Sequence, residues 1–190
     1  MKVIGISSSP RRGGNTEILV LESLKGASLL GAETNFLRLS DLNINPCCGC
    51  QSCVKDGVCI IEDDMQIVYR NLIEADGIII GSPVYFWSVS ALAKIFMDRT
   101  YALRYPTRKL RGKVGGAIAV AAHRGCSHTL STINNFFLHH KMIVIGLGVS
   151  GYASQEGDVR KDERAVQESR EMGKEIVNLI LKKGGEKNLK

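Results

Sequence analysis

Val3-Ile4-Gly5-Ile6-Ser7-Ser8-Ser9-Pro10-Arg11-Arg12-Gly13-Gly14-Asn15-Thr16 packs a strand, a turn and a helix start into fourteen residues. Val3 to Ile6 is a short, nearly continuous apolar run, the pattern of a parallel strand buried on both faces. Ser7 to Thr16 is polar and carries two adjacent glycines. Beyond it Ile18, Leu21, Leu24 and Ala27 recur at helical spacing, with Asn15 placed to cap the helix and Gly31 to end it. Hydroxyls, backbone N–H groups and two arginines thus meet at a positive helix end, which suits a phosphate. A solvated turn between strand and helix uses the same residue types. The loop is not a Walker A sequence, because no Lys follows the glycines, and it is not G-x-G-x-x-G. A flavin mononucleotide phosphate fits it better than a triphosphate.

The same alternation continues outward. Glu33–Leu39 reads as the second strand, Ile78–Ile80 as the third, Val114–Ala122 as the fourth and Met142–Ile145 as the fifth. Between them lie helical patterns: one capped by Asp63 and carrying Val68, Leu72 and Ala75, one over Ser90–Tyr105, and one over Thr129–His140. Asp158 starts a last amphipathic helix through Val166, Met172, Ile176, Val177 and Ile180. Strands alternating with helices at this spacing predict an α/β chain with one parallel sheet covered on both faces. Right-handed crossovers leave few topologies, and the expected one is a flavodoxin-like three-layer sandwich with five strands in the order 2-1-3-4-5. One domain is expected over 1–183, with a polar tail over 184–190. Ligands of such sheets gather at the carboxyl edge of the strands. The loops after strands one, two and three are therefore expected to open side by side.

The loop after strand two is Cys47-Cys48-Gly49-Cys50-Gln51-Ser52-Cys53-Val54-Lys55-Asp56-Gly57-Val58-Cys59, inside a cysteine-rich segment 46–60. It holds five of the six cysteines. Cys47, Cys50, Cys53 and Cys59 read as C-x2-C-x2-C-x5-C. Structural zinc usually takes two C-x-x-C knuckles separated by a longer insert. Three thiols at overlapping spacing are closer to the start of a [4Fe–4S] ferredoxin run, with Cys59 available as the fourth ligand. Zinc, and thiols that bind nothing or form disulfides, are the alternatives. Cys48 cannot easily share a site with its neighbour Cys47, and isolated Cys126 reads as a small buried residue.

The loop after strand three, Gly81-Ser82-Pro83-Val84-Tyr85-Phe86-Trp87, places three aromatics directly after a strand. Packing or a subunit contact explains them as well as ring binding does. His123 and Arg124 follow strand four at the same edge, beside a bound ring or in a solvated loop. Gly146-Leu147-Gly148-Val149-Ser150-Gly151 matches G-x-G-x-x-G, but no helix follows at once and no acidic ribose-binding strand remains downstream, so a glycine-rich turn is the better reading. No Ser–His–Asp or paired-carboxylate arrangement supports hydrolysis.

Composition is that of an ordinary globular chain, with 44% hydrophobic and 23% charged residues. No apolar run approaches the roughly 18 residues that cross a bilayer. Met1 to Ile6 is too short for a signal peptide, so a cytoplasmic address is expected, where clustered thiols serve as ligands or catalysts rather than as disulfides. The net charge of +6 comes from scattered basic residues. A cluster and a phosphate offset such a charge, and it does not call for nucleic acid.

Two of these segments together resemble one family. Ser9 to Thr16 is similar to the phosphate loop of NADPH-dependent FMN reductase-like flavoproteins, and Gly81 to Phe86 to their isoalloxazine-binding loop. The compact cysteine run resembles that of the iron–sulfur flavoproteins, a branch of the group. The resemblance implies one FMN and one [4Fe–4S] cluster per chain, in a homodimer or homotetramer. Electrons would pass between a donor such as ferredoxin and an acceptor; an NAD(P)H-dependent FMN or quinone reductase with structural cysteines is the alternative. It implies that Ser9, Arg11, Asn15 and Thr16 hold the phosphate, that Ser82, Pro83, Val84, Tyr85, Phe86 and Trp87 border the ring, and that Cys47, Cys50, Cys53 and Cys59 ligate iron. Ala122 to Cys126 departs from the more glycine-rich loop of many relatives.

Overall fold

In the computed structural model, which describes residues 1–187, β1 (Lys2–Ser7), β2 (Glu33–Arg38), β3 (Gly77–Pro83) and β4 (Val114–Ala121) are the long strands of one sheet. β5 (Ile143–Val144) and β6 (Val149–Tyr152) complete it. Every pairing is parallel, and the order is β2-β1-β3-β4-β5, as the sequence predicts, with β6 also beside β4. The single fifth strand expected over 142–145 is corrected. Two short pieces share that edge: β5 pairs with Val114–Gly115 and β6 with Ile118–Ala121. Between them Gly146 and Gly148 take φ of +50° and +99°, and a Cβ at Gly148 would run into the Ala117 carbonyl. The glycine motif is thus a kink in an edge strand.

Side chains alternate along each strand, as the pleat requires. Ile4, Ile6, Ile78 and Ile80 point to one face, where α2 (Met65–Glu74), α3 (Ala91–Arg99) and α4 (Cys126–His139) supply Leu72, Phe96 and Phe137. Val3, Ile79 and Ile118 point to the other, where α1 (Asn15–Leu29) and α5 (Glu163–Lys187) supply Leu19 and Ile176. Burying each such aliphatic side chain contributes about 1.5–3 kcal/mol, which is why this one sheet carries the whole domain. α1 and α5 meet backbone to backbone: a Cβ at Gly26 would strike the Arg170 carbonyl, and one at Gly173 the Ser23 carbonyl.

Some boundaries move. The helix expected over 90–105 is α3 followed by a 3-10 segment, Thr100–Arg104, and α4 begins at Cys126 rather than Thr129. Asp158 starts a short 3-10 turn, and Asp162 caps α5 instead, its Oδ1 accepting the Ala165 N–H at 3.1 Å. α5 runs on past Gly184, where the sequence places the start of a polar tail; the rest of that tail, 188–190, lies outside the described residues. Among the described residues no helix is long and apolar enough to cross a membrane.

Candidate functional site

The loop between β1 and α1 is built as a cradle. The first intrahelical bond of α1 runs from Ile18 N to Gly14 O at 3.1 Å. The N–H groups of Asn15, Thr16 and Glu17 therefore stand at the open, positive end of the helix. Ser7, Ser8, Ser9 and Thr16 are buried around it, and Ser9 Oγ accepts the Arg11 N–H at 3.1 Å. Asn15 does not cap the helix as expected: Gly14 holds that position. The Asn15 side chain instead fastens a distant loop, donating from Nδ2 to Gln155 O at 2.7 Å and accepting from Val159 N at 3.3 Å. Arg12 is paired with Asp41 at 2.9 Å, whereas Arg11 is exposed and has no ion pair among the described residues.

Arg38, at the end of β2, carries no motif and was not foreseen. Its Nε and Nη2 grip Glu17 at 2.9 and 2.6 Å. Glu17 Oε2 in turn accepts the Gly13 N–H at 3.0 Å. Arg38 holds the Glu17 carboxyl below the usual range, so it stays ionised and shapes the turn.

The loop after β3 lies against this cradle. Ser8 N and Oγ both donate to Gly81 O, at 2.9 and 3.0 Å, and Ser90 Oγ donates to Ser8 O at 2.9 Å. Ser82 is fully buried, and its Oγ accepts the Ser90 N–H at 2.9 Å, so it sets the loop rather than lining open space. Tyr85 and Ser88 exchange backbone bonds of 3.0 and 3.1 Å around Phe86 and Trp87, whose φ values are +48° and +64°. Left-handed backbone costs an L-residue about 1–2 kcal/mol, and here two aromatics bear it in succession. Phe86 is 102% exposed, which leaves that strain unrelieved by any packing within the chain. Trp87 packs edge-on to His128, with ring centroids 5.6 Å apart. Phe86→Gly is expected to stabilise the protein by about 1 kcal/mol, since glycine takes this conformation freely. Denaturant melts of the two proteins read the effect.

The cysteine segment does not stay at that edge, which corrects the expected side-by-side arrangement of three loops. Cys47, Gly49 and Gln51 line a cavity of about 500 Å³ together with Tyr101, Arg104 and His139. A Cβ at Gly57 would strike the Tyr105 carbonyl. These contacts lie at the C-terminal ends of α3 and α4, while the aromatic loop touches their N-terminal ends. α3 has nine residues, a length of about 13 Å. The physical cause is an anchor that the sequence reading passed over. Arg99 closes α3, and both it and its partner Asp63 are almost fully buried. Nη1 donates to Asn45 O at 2.8 Å and to Asp63 Oδ2 at 2.6 Å; Nη2 donates to Ile61 O at 3.3 Å and to Asp63 Oδ1 at 3.0 Å. The segment is drawn down the helix and pinned there. Ala93, Phe96 and Arg99 share one buried stripe, so a charge in apolar register was the available signal.

Within the segment Cys47, Cys48 and Cys50 are exposed, Cys53 and Cys59 half-buried. Burial pushes the Cys53 thiol up, and negative charge on Cys59, Cys47 and Cys50 pushes it the same way. The Cys50 thiol is held below its ordinary value by Ser52 first and also by Cys48, so Cys48 stands beside the cysteines of the C-x2-C-x2-C-x5-C pattern. Among the described residues no three His, Cys, Asp or Glu side chains converge tightly enough to share one metal ion. A cubane cluster asks for less convergence, because each thiolate meets a separate iron at its own corner. An all-sulfur donor set fits it. Cys126 is buried, as the sequence suggests, with Sγ 3.7 Å from Ala119 O.

Asp63 makes this anchor sensitive to acid. Burial pushes its carboxyl up, but hydrogen bonds from Arg99, Asn45 N–H and Met65 N–H more than reverse that and hold it at about 2, below the ordinary 3.8. A depressed folded value contributes stability above the unfolded value, and that stability is lost as pH falls through the folded one. The contribution is on the order of 2 kcal/mol. The stability gap between the chain and its Asp63→Asn variant is therefore expected to narrow from about pH 4 down to about pH 2, as measured by denaturation at each pH.

A serine-rich turn at a helix N-terminus lies against an aromatic loop at one sheet edge, and the model of the NADPH-dependent FMN reductase family matches residues 1–156. The chain belongs to that family. Within it the chain belongs to the iron–sulfur flavoprotein branch: it is 47% identical to an iron-sulfur flavoprotein of Methanocaldococcus jannaschii, over 95% of this chain and 97% of the relative. An iron-sulfur flavoprotein of Methanosarcina thermophila is 38% identical over 77% of this chain and 78% of its own. Among solved structures, RosB with a bound riboflavin-phosphate intermediate superposes with a TM-score of 0.80 at 16% identity, covering 95% of this chain and 79% of that one, which shows the shared fold. As a member of the family, the chain is a flavin-dependent oxidoreductase.

Proposed function

We propose that this FMN reductase relative passes electrons between a carrier such as ferredoxin and an acceptor, using a [4Fe–4S] cluster on Cys47, Cys50, Cys53 and Cys59 and an FMN at the sheet edge. The observation that supports the reading is the pinning, by the Arg99–Asp63 pair, of the one segment that carries all four cysteines, in a chain 47% identical to an iron-sulfur flavoprotein. When bound, the cluster supplies single-electron steps and the flavin supplies one- or two-electron steps.

The chain's own residues divide the remaining work. Thr16, the Ser9 hydroxyl, the Asn15 backbone N–H and Arg11 hold the phosphate. Ser82 fixes the aromatic loop through Ser90, and Pro83, Val84, Tyr85, Phe86 and Trp87 border the ring and keep water from it. No side-chain acid or base is required for electron transfer of this kind. The two loops stand a helix length apart, so the relay we propose runs between copies in a homodimer or homotetramer. The expected address is the reducing cytoplasm, where the thiols stay available.

The family description favours one competing reading, a NADPH-dependent reductase with structural cysteines. Anaerobic mixing separates them. Reduced ferredoxin is expected to bleach the flavin much faster than NADPH does. Rapid bleaching by NADPH in iron-free protein, with ferredoxin inert, would establish the alternative.

A further inference from the structure

We infer that Arg99 is a positioning residue for the cluster: its guanidinium fork clamps the incoming and outgoing ends of the cysteine segment before any iron arrives. The inference rests on the cluster reading above and deepens it. Asn45 precedes the segment and Ile61 follows it, and one side chain bonds the carbonyls of both. Asp63 completes the clamp, accepting the fork at both oxygens and the Asn45 N–H at 2.8 Å. The fifteen residues of 46–60 are thereby closed into a loop with a fixed mouth, so the entropy of closing it is met by the protein alone. The clamp is itself held in place, because Tyr69 Oη donates to the Arg99 carbonyl at 2.7 Å.

Only arginine satisfies this geometry. A lysine presents one point of charge and cannot serve carbonyls on two chain segments and both oxygens of a carboxylate with a rigid fork. Arg99 Nε is buried and has no partner among the described residues, so the guanidinium keeps one donor unused in the unloaded segment.

The test compares the full-length chain with Arg99→Lys and Arg99→Gln. The first readout is trypsin cleavage after the exposed Lys55 in iron-free protein, followed by mass spectrometry. Cleavage tracks the population of the open loop, and Arg99→Lys is expected to be cut roughly tenfold faster than the unaltered chain. After anaerobic reconstitution with iron and sulfide, Arg99→Lys should retain several-fold less iron, with FMN per chain unchanged. In Arg99→Gln the Asp63 carboxylate faces the loop uncompensated, so residual cluster should titrate at a more negative potential than in Arg99→Lys. A purely structural role would not separate the two variants in this way. Wild-type cleavage rate and iron content in Arg99→Lys would overturn the inference. If Arg99→Lys fails to fold, Asp63→Asn, which keeps the shape and one acceptor oxygen, is read by the same cleavage: faster cutting supports the clamp, and an unchanged rate overturns it. An unaltered chain that takes up no iron would sink the cluster reading and the cluster-positioning role with it, whereas faster cleavage of iron-free Arg99→Lys would still establish the clamp, because that comparison needs no iron.

Discussion

Cys50→Ser is expected to strip the protein of iron while leaving its FMN in place. A serine hydroxyl is not ionised at neutral pH and is a poor iron ligand, so one corner of the cage loses its anchor. Iron and sulfide per chain should fall to less than about a tenth of the unaltered value. FMN should be untouched, because the cysteine segment contacts the C-terminal ends of α3 and α4 and the aromatic loop their N-terminal ends. Cys48→Ser is the matched control: Cys48 is exposed and lies outside the C-x2-C-x2-C-x5-C set, so iron should stay at full content. Iron, acid-labile sulfide and released flavin, assayed on the same anaerobic samples, read all three numbers. Flavin falling in step with iron would mean that the two sites are not independent.

The second large effect is expected at Thr16. Thr16 is buried at the second position of α1, between the open N–H groups and the serines of the β1 loop. Aspartate is close to it in size and its charge suits a helix N-terminus, which offsets part of the cost of burying it, so Thr16→Asp should fold with reduced stability. It would nevertheless set a fixed negative charge against the phosphate. Two like charges 4 Å apart repel by about 4 kcal/mol at the effective dielectric of a protein surface. FMN affinity is therefore expected to drop at least 100-fold, about 2.7 kcal/mol or more. Thr16→Ser, which keeps the hydroxyl, should bind within a few-fold of the unaltered chain. Flavin fluorescence quenching measures each affinity. Unchanged affinity in Thr16→Asp would remove this loop from the phosphate site.

Why the fold was legible and the cysteine segment's position was not comes down to the range of the interactions involved. β1, β3 and β4 are buried on both faces, so their apolar runs announce themselves, and α5 shows its stripe through Met172 and Ile176. The phosphate and aromatic loops are short and tethered to adjacent strands through Ser8, Gly81 and Ser90, so strand order alone places them together. The cysteine segment is long, and strand order says only where it leaves the sheet. Its destination is decided by Arg99 and Asp63, 36 residues apart, and no local pattern encodes that pairing. The same holds for Arg38 and Glu17, whose ion pair joins the end of β2 to the first turn of α1. Asn15 illustrates the opposite limit. A good capping residue is drawn away by a loop 140 residues downstream, because Gln155 O and Val159 N need partners more than the first turn of α1 does.

The most direct measurement is the cofactor content of protein purified without oxygen. About four irons, four sulfides and one FMN per chain are expected, with flavin bands riding on the broad absorbance of a cluster and both bleached by reduced ferredoxin. Protein that contains FMN but no iron, and that still accepts electrons from its donor at full rate, would contradict the cluster relay.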